Sequence, residues 1–375
     1  MEKLELLQNI LNLDELEEIA RSRLPGQNFD YFAGGAGDEI TLAANRQSLR
    51  NLRLRPRMLV DASNLDTSIE LFGEKLPSPV MIAPMAFQKL AHERGELAMA
   101  EAAAEHGALM VVSTLATCSL EEVMTATAAG PPKWFQLYVY KDRGITRDLV
   151  TRAEEAGYKA IVVTVDSPVL GKRERDMRNS FQLPDGITIE NLLEHGLKDF
   201  PATRGESGLA AYIAGLYDIS LSWKDIEWIA GLSDLPVLVK GVLRGDDTHI
   251  AIESGARGIS VSNHGGRQLD TTIASIDALP EVVAAVEGAS ATAGKIPVIF
   301  DGGIRRGTDV LKALALGADA VLLGRPLLWG LTIDGARGAS RVLAIINAEL
   351  RNAMTLAGAE NIGAITEDLI AGSKQ

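Results

Sequence analysis

A histidine and an arginine stand three residues apart in the segment SNHGGRQLD, residues 262–270, directly after an apolar run. The imidazole of His264 titrates near neutral pH and is suited to general base catalysis. The guanidinium of Arg267 offers a planar pair of donors that binds a carboxylate through two hydrogen bonds. The pair therefore predicts a site where a base acts on a substrate that carries a carboxylate.

Three further charged residues follow apolar runs in the same manner. Lys240 ends LPVLVK, where its cation could stabilise negative charge on a cofactor ring, although a side chain reaching out to solvent is the alternative. Asp166 follows VVTV and could hold an imidazolium in place or simply cap a helix. Arg173, in GKRERD, is either a second carboxylate ligand or part of a solvated helix face.

Two glycine- and arginine-rich segments, DGGIRRG at residues 301–307 and GRP at residues 324–326, indicate a phosphate site. Their glycines let backbone N–H groups approach an anion, and their arginines add positive charge. Barrels of alternating strands and helices commonly bind phosphate after their last two strands. An organic phosphate cofactor is therefore expected, although no GxGxxG dinucleotide motif is evident.

Short apolar runs that alternate with helical segments must position these residues. Because most of the runs are continuously apolar, they are typical of parallel strands covered on both faces. Eight such units predict a (β/α)8 TIM barrel, with a doubly wound sheet as the alternative. The predicted strands are residues 79–84, 109–114, 134–139, 160–166, 236–241, 258–263, 297–302 and 320–325.

The rest of the chain is interpreted as part of a single domain, residues 1–375. Residues 1–78 are expected to form an N-terminal helical extension, residues 79–340 approximately the barrel, and residues 341–375 closing helices. A long insertion separates the fourth and fifth strands. Its polar, glycine- and proline-rich part, residues 182–208, is predicted to be a mobile loop over the barrel mouth.

Composition narrows the function. The net charge of −13 disfavours binding to nucleic acid or to anionic membrane surfaces. A single cysteine, Cys118, excludes an internal disulfide, and together with the lack of a signal-like N-terminus it favours a cytoplasmic location. Five histidines without ligand spacing give no support for a metal site.

The ordered set of motifs resembles the family of FMN-dependent 2-hydroxy acid oxidases and dehydrogenases along nearly the whole chain. The matching segments are FDYFAGGAGDEITLAANR, FQLYVYKDR, TVDSPVLGKRERD, LVKGVLRGDD, SNHGGRQLD and DGGIRRGTDVLKALALGADAVLLGRP. The resemblance implies FMN as the cofactor, and it implies a homo-oligomer, a tetramer or an octamer.

The resemblance also implies roles for individual residues. His264 corresponds to the base and Asp166 to the carboxylate that steadies it. Arg173, Arg267 and Tyr31 correspond to the clamp for the substrate carboxylate, and Tyr138 to a donor to the substrate oxygen. The implied FMN contacts are Pro84, Met85, Ala86, Ser113, Gln136, Thr164, Lys240, Ser262, Asp301, Gly302, Gly303, Arg305, Gly324 and Arg325.

The implied reaction oxidises an (S)-2-hydroxy acid to the 2-oxo acid and passes two electrons to FMN. His264 would take either the hydroxyl proton during hydride transfer or the carbon-bound proton, and the sequence leaves both open. Leu115 and Met85 stand where glycolate oxidases carry tryptophan and threonine, so the substrate pocket resembles that of L-lactate oxidases.

L-lactate oxidation to pyruvate, with oxygen reduced to hydrogen peroxide, is therefore expected. The alternatives are a glycolate-preferring oxidase, an L-lactate dehydrogenase that uses a quinone or cytochrome, a decarboxylating monooxygenase and a non-catalytic barrel that senses a ligand.

Overall fold

The structure is a computed structural model that describes residues 2–197 and 208–372, with only the backbone described for residues 2–5, 210, 211, 214 and 290–293. Four helices and a hairpin precede the barrel. Asn12 caps the second helix, because its side-chain oxygen accepts hydrogen bonds from the backbone N–H groups of Asp14 and Glu15. These elements are α1 (Glu2–Asn9), α2 (Leu13–Arg23), α3 (Gly26–Ala33), α4 (Ile40–Asn51), β1 (Ile69–Leu71) and β2 (Glu74–Leu76).

Eight parallel strands close into a barrel in the order β10-β3-β4-β5-β6-β7-β8-β9. The prediction of a (β/α)8 barrel is thereby confirmed. The strands are β3 (Val80–Ile82), β4 (Met110–Ser113), β5 (Lys133–Leu137), β6 (Ile161–Thr164), β7 (Val237–Val242), β8 (Gly258–Val261), β9 (Val298–Asp301) and β10 (Ala320–Leu323).

Helices surround the barrel and link its strands. These helices are α5 (Gly95–His106), α6 (Leu120–Ala126), α7 (Arg143–Ala156), α8 (Glu174–Arg178), α9 (Gly208–Leu216), α10 (Trp223–Ala230), α11 (Gly245–Glu253), α12 (Ser275–Ala293), α13 (Gly307–Ala315) and α14 (Arg325–Ala357). Helix α14 is bent at Asp334 and Gly335 and packs against α2 and α5. No described helix combines the length and the apolar character needed to cross a membrane.

The inside of the barrel changes from apolar to polar along the strands. Alternate residues of a strand face the same side. The inward residues near the starts of the strands pack with Leu71 and Leu76 of the β1–β2 hairpin, and the hairpin therefore closes that end of the barrel. These inward residues include Met81, Val111, Trp134, Val162, Leu238 and Ile299. Two residues later on the same faces stand Ala83, Ser113, Gln136, Thr164, Lys240 and Asp301. Polar groups therefore converge at the C-terminal end.

The insertion between β6 and β7 is more ordered than the sequence indicates. Residues Glu190–His195 form a 3₁₀ helix, and α9 and α10 follow. Buried Asn191 donates hydrogen bonds from Nδ2 to the carbonyls of Ser113, at 3.2 Å, and Thr114, at 3.1 Å, which ties the insertion to the end of β4. Residues Glu190–His195 of the predicted mobile loop thus have regular structure, and the mobility of the loop stays a prediction. Residues 198–207 of that predicted loop lie outside the described residues.

Candidate active site

His264 and Asp166 form a pair at the C-terminal end of the barrel. His264 Nδ1 lies 2.8 Å from Asp166 Oδ1, and the two side chains are only 20% and 12% exposed. Burial lowers the pKa of His264, and the nearby cations of Lys240 and Arg173 reinforce this against the opposing effect of Asp166. These surroundings therefore favour the neutral form of the imidazole. Because Asp166 occupies Nδ1, Nε2 is the nitrogen left to act as a base.

A strained turn carries His264 into the cavity. Its φ of 57° lies in the left-handed region, which few residues other than glycine adopt. Its backbone N–H donates to Ser262 Oγ at 3.0 Å. Next to it, Asn263 exchanges amide hydrogen bonds with Asn45 of α4, at 2.8 and 2.7 Å. The surrounding hydrogen bonds therefore hold a conformation that the isolated turn would rarely populate.

Lys240 lies on the floor of the cavity in a buried polar cluster. Its Nζ donates to Ser262 Oγ at 2.9 Å and lies 3.1 Å from Asp301 Oδ2. Ser262 in turn donates to Asp301 Oδ1 at 2.7 Å. Burial alone would lower the pKa of Lys240, but the carboxylates of Asp301 and Asp166 outweigh it and raise that pKa. Lys240 is therefore a fixed cation and does not extend into solvent.

Two arginines and a tyrosine gather beside His264. Arg267 donates from Nη1 to the Tyr31 carbonyl at 2.6 Å, and its guanidinium carbon lies 5.0 Å from the centre of the Tyr31 ring. Arg173 is buried and donates from Nε to the Arg267 carbonyl at 3.2 Å. Burial and the proximity of Arg267 lower the pKa of Arg173 to about 10. The buried carboxylate of Asp176 lies near both guanidinium groups, but Arg267 forms no ion pair with a described carboxylate. The cluster therefore favours an added anion.

A hydrogen-bonded polar chain crosses the ends of β4, β5 and β6. Ser113 donates to Gln136 Oε1 at 3.2 Å, and Gln136 Nε2 donates to Thr164 Oγ1 at 3.0 Å. Tyr138, two residues beyond Gln136, lines the same cavity. Burial and the neighbouring Asp166 raise the pKa of Tyr138, so its hydroxyl stays protonated and can donate a hydrogen bond.

Comparisons with known proteins identify the family of the chain. The profile of the FMN-dependent dehydrogenase family matches residues 20–372. The chain belongs to this family. It is 54% identical over 354 residues to an L-lactate oxidase of a Nostoc species, covering 94% of this chain and 95% of that one. It is 50% identical over 358 residues to glycolate oxidase 3 of Arabidopsis thaliana, covering 95% of each chain.

Solved structures of similar proteins have the same fold. A mandelate oxidase crystallised with (S)-4-hydroxymandelic acid superposes with a TM-score of 0.90 at 44% identity, over 96% of this chain and 98% of that one. The family resemblance and the cofactor implied by the sequence are confirmed: FMN is the cofactor of this FMN-dependent dehydrogenase.

The residues at the ends of β9 and β10 fit the phosphate of FMN. Arg325 donates to the carbonyls of Phe32, Gly265 and Gly34 at 2.9, 3.0 and 3.1 Å, and no described carboxylate lies within ion-pair distance of it. Burial, together with Arg267 and Arg305, places the pKa of Arg325 well below its usual range. Such a cation is stabilised by an added anion.

Three other features of this dehydrogenase favour the same phosphate position. Arg305 Nε is buried and has no hydrogen-bond partner among the residues described. A side chain at Gly303 would approach the Asn45 carbonyl to 2.4 Å, so only glycine fits there. Helix α14 begins at Arg325, and Gly324, Arg325 and Pro326 at this N-terminus line the cavity. A helix N-terminus, glycines and two arginines form a suitable anion site.

A single cavity brings the predicted site residues together, with two exceptions. Asp166 and Ser262 do not line it; each lies behind a lining residue, His264 or Lys240, to which it is hydrogen-bonded. The predicted residues that line the cavity are Tyr31, Pro84, Met85, Ala86, Ser113, Leu115, Gln136, Tyr138, Thr164, Arg173, Lys240, His264, Arg267, Asp301, Gly302, Gly303, Arg305, Gly324 and Arg325.

Several residues of the site were not predicted. Ser167 donates to Asp166 Oδ1 at 2.9 Å and lies 3.3 Å from His264 Nδ1, and its position directly after Asp166 was the available signal. Leu170, Leu209 and Ile213 supply an apolar wall. Leu209 and Ile213 are four residues apart on α9, so they share a helix face, but nothing in the sequence connects that helix to the barrel mouth.

Proposed function

We propose that this enzyme, which carries out FMN-dependent oxidation of 2-hydroxy acids, acts on the (S)-enantiomers and prefers L-lactate. It converts L-lactate and oxygen to pyruvate and hydrogen peroxide. The observation that carries the proposal is a neutral His264, paired with Asp166, in one cavity with the guanidinium groups of Arg173 and Arg267. The 54% identity to an L-lactate oxidase supports the choice of substrate.

FMN, when bound, accepts the two electrons that leave the substrate. Arg305, Arg325, Gly302, Gly303 and the first turn of α14 would hold its phosphate. Lys240, Gln136, Ser113 and Thr164 would bind its polar ring atoms. The buried charge of Lys240, fixed by Asp301, would stabilise negative charge that develops on the ring.

The remaining groups bind and orient the substrate. Arg173 and Arg267 would bind its carboxylate, and the Tyr138 hydroxyl would donate to its oxygen. His264 Nε2 would then receive a proton from the substrate. Because Asp166 is hydrogen-bonded to Nδ1, its carboxylate stabilises the imidazolium formed in that step.

Leu115 and Met85 would set the size of the substrate side chain. Both are buried and line the cavity. Leucine occupies less volume than the tryptophan found in glycolate oxidases and offers no polar N–H, so a methyl group on the substrate is accommodated. Room for one methyl group corresponds to about 1–3 kcal/mol, so glycolate would react more slowly.

Anaerobic mixing with a panel of (S)- and (R)-2-hydroxy acids tests the proposal directly. Bleaching of the flavin absorbance by (S)-lactate, with slower bleaching by glycolate and none by (R)-lactate, is expected. Failure of every 2-hydroxy acid in the panel to reduce the bound flavin would contradict the proposed activity.

The electron acceptor is tested under air. Hydrogen peroxide should form in equal amount to pyruvate, whereas reduction of a quinone or cytochrome with little peroxide would identify another electron acceptor.

The family resemblance also supports a homo-oligomer, a tetramer or an octamer, which light scattering coupled to gel filtration would measure.

We place the protein in the cytoplasm, because its one cysteine, Cys118, is buried and free and a reducing compartment suits such a chain. Fractionation of cells that produce it would test this location.

A further inference from the structure

Gly241 lies next to Lys240 in an irregular part of β7. The register against β8 pairs Lys240 with Ser260 and Val242 with Val261, so Gly241 is an additional residue on β7. Its φ of 109° is disfavoured for any residue with a side chain. Such β-bulges bend a strand locally and redirect its side chains, and they are common beside active sites.

The space above Gly241 is filled by Asp166. A Cβ atom added to Gly241 would lie 2.7 Å from both Cβ and Cγ of Asp166 and 2.8 Å from its Oδ2. Non-bonded carbon atoms do not approach so closely. Because Cβ of Asp166 is fixed to its backbone, the clash could not be relieved by rotating a flexible end of the side chain. The Asp166 carboxylate would have to leave its present position.

Hydrogen bonds hold the Asp166 carboxylate on one side only. Oδ1 accepts from Ser167 at 2.9 Å and pairs with His264 Nδ1 at 2.8 Å. Oδ2 is buried and, within the described ranges, has no hydrogen-bond partner. The bare Cα of Gly241 lies beside this oxygen, because a Cβ added there would come within 2.8 Å of Oδ2.

We propose that Gly241 is a positioning residue for the general base. It acts through Asp166: the missing side chain leaves room for the carboxylate at hydrogen-bond distance from His264. The bulge also directly follows Lys240 on β7. Lys240 keeps its backbone pairing with Thr164 of β6, and its Nζ reaches Ser262 and Asp301. This inference rests on the proposed role of His264.

Gly241→Ala, compared with Gly157→Ala, tests the inference. Gly157 has a similar φ of 94°, but an added Cβ there meets no atom within 4 Å, so it reproduces the backbone strain without the contact. Both variants should bind FMN. We expect Gly241→Ala to slow anaerobic flavin reduction by (S)-lactate by at least about tenfold, because a misplacement of about 1 Å can cost as much as a hundredfold.

The pH profile separates positioning from general damage. Displacing Asp166 removes the group that raises the pKa of His264, so the acid limb of kcat/KM should move to lower pH in Gly241→Ala. Gly157→Ala should keep the wild-type rate and profile. A wild-type rate in Gly241→Ala, or a slower rate with an unchanged profile, would overturn the proposal.

If Gly241→Ala does not fold, the double variant Gly241→Ala/Asp166→Gly decides. Removing the Asp166 side chain should restore a folded, yellow protein, and failure to restore it would show that Gly241 serves only the backbone of β7. The His264→Gln variant keeps the two proposals apart. Flavin reduction at the wild-type rate in His264→Gln would refute the role of His264 as the base. Slow reduction in His264→Gln, together with a wild-type rate in Gly241→Ala, would refute only the positioning role of Gly241.

Discussion

The Asp166 carboxylate accepts a hydrogen bond from His264 Nδ1 over 2.8 Å, and the two residues are 98 positions apart in the chain. The strands that precede them, β6 and β8, are each paired with β7 and not with each other. Closure of the barrel directs both strand ends toward one cavity. The same bond orients the imidazole and leaves Nε2 to face the substrate.

The lowered pKa of His264 gives a direction for the pH dependence. Only the neutral imidazole accepts a proton, and its pKa lies below the ordinary histidine value because of burial and the nearby cations. The kcat/KM for (S)-lactate should therefore fall as the pH drops, with the midpoint of the fall below the ordinary histidine pKa. A midpoint above the ordinary histidine pKa would contradict this.

Asp166→Asn should change both the height and the position of that profile. The amide cannot stabilise the imidazolium, so the plateau should fall by about a hundredfold or more. Burial, Lys240 and Arg173 then lower the pKa of His264 without opposition, which should move the acid limb to lower pH. Steady-state rates between pH 4.5 and 9 measure both effects, and a limb that moves to higher pH would be inconsistent with the geometry.

Arg325→Met should weaken FMN binding. Arg325 has no carboxylate within ion-pair distance among the described residues and donates to backbone carbonyls, so its charge is available to the phosphate. Loss of a charge-assisted hydrogen bond of about 1.5–3 kcal/mol raises the dissociation constant of FMN about 10- to 150-fold. Titration of the apoprotein by flavin fluorescence measures this. Arg244→Met, at an exposed ion pair with Asp246, is the matched control and should bind FMN normally.

Leu115→Trp should turn the preference toward glycolate. The indole would fill the space that accepts the substrate methyl group, so the ratio of kcat/KM for L-lactate to that for glycolate should fall by about tenfold or more. Leu115→Met, which nearly conserves volume, should leave the ratio close to wild type. An unchanged ratio in Leu115→Trp would remove Leu115 from substrate selection.

The sequence predicted those parts of the site that local pattern determines. Polar residues that end apolar runs become neighbours in any closed parallel barrel, which is why Lys240 and His264 could be placed in one cavity before the structure was known. Burial excludes the solvent-exposed interpretation for two of the three charged residues with alternatives, because Arg173 and Lys240 are both buried in the cavity wall and floor.

Long-range contacts account for what the sequence did not reveal. Asn45 holds the His264 turn through Asn263, which is 218 positions away in the chain. Leu209 and Ile213 reach the cavity only because the insertion folds back over the barrel mouth, and their helix is apolar enough to belong to any core. The importance of Gly241 depends on its distance to Asp166, which no pattern within LVKGVL indicates.

Anaerobic stopped-flow reduction of the flavin by (S)-lactate, in wild-type protein and in His264→Gln, tests the assignment of the base most directly. The glutamine keeps the approximate volume and leaves the phosphate site untouched, so the variant should bind FMN. Its flavin should be reduced at least about a hundredfold more slowly, the lower range for loss of a general base. Reduction of FMN-bound His264→Gln at the wild-type rate would contradict the assignment.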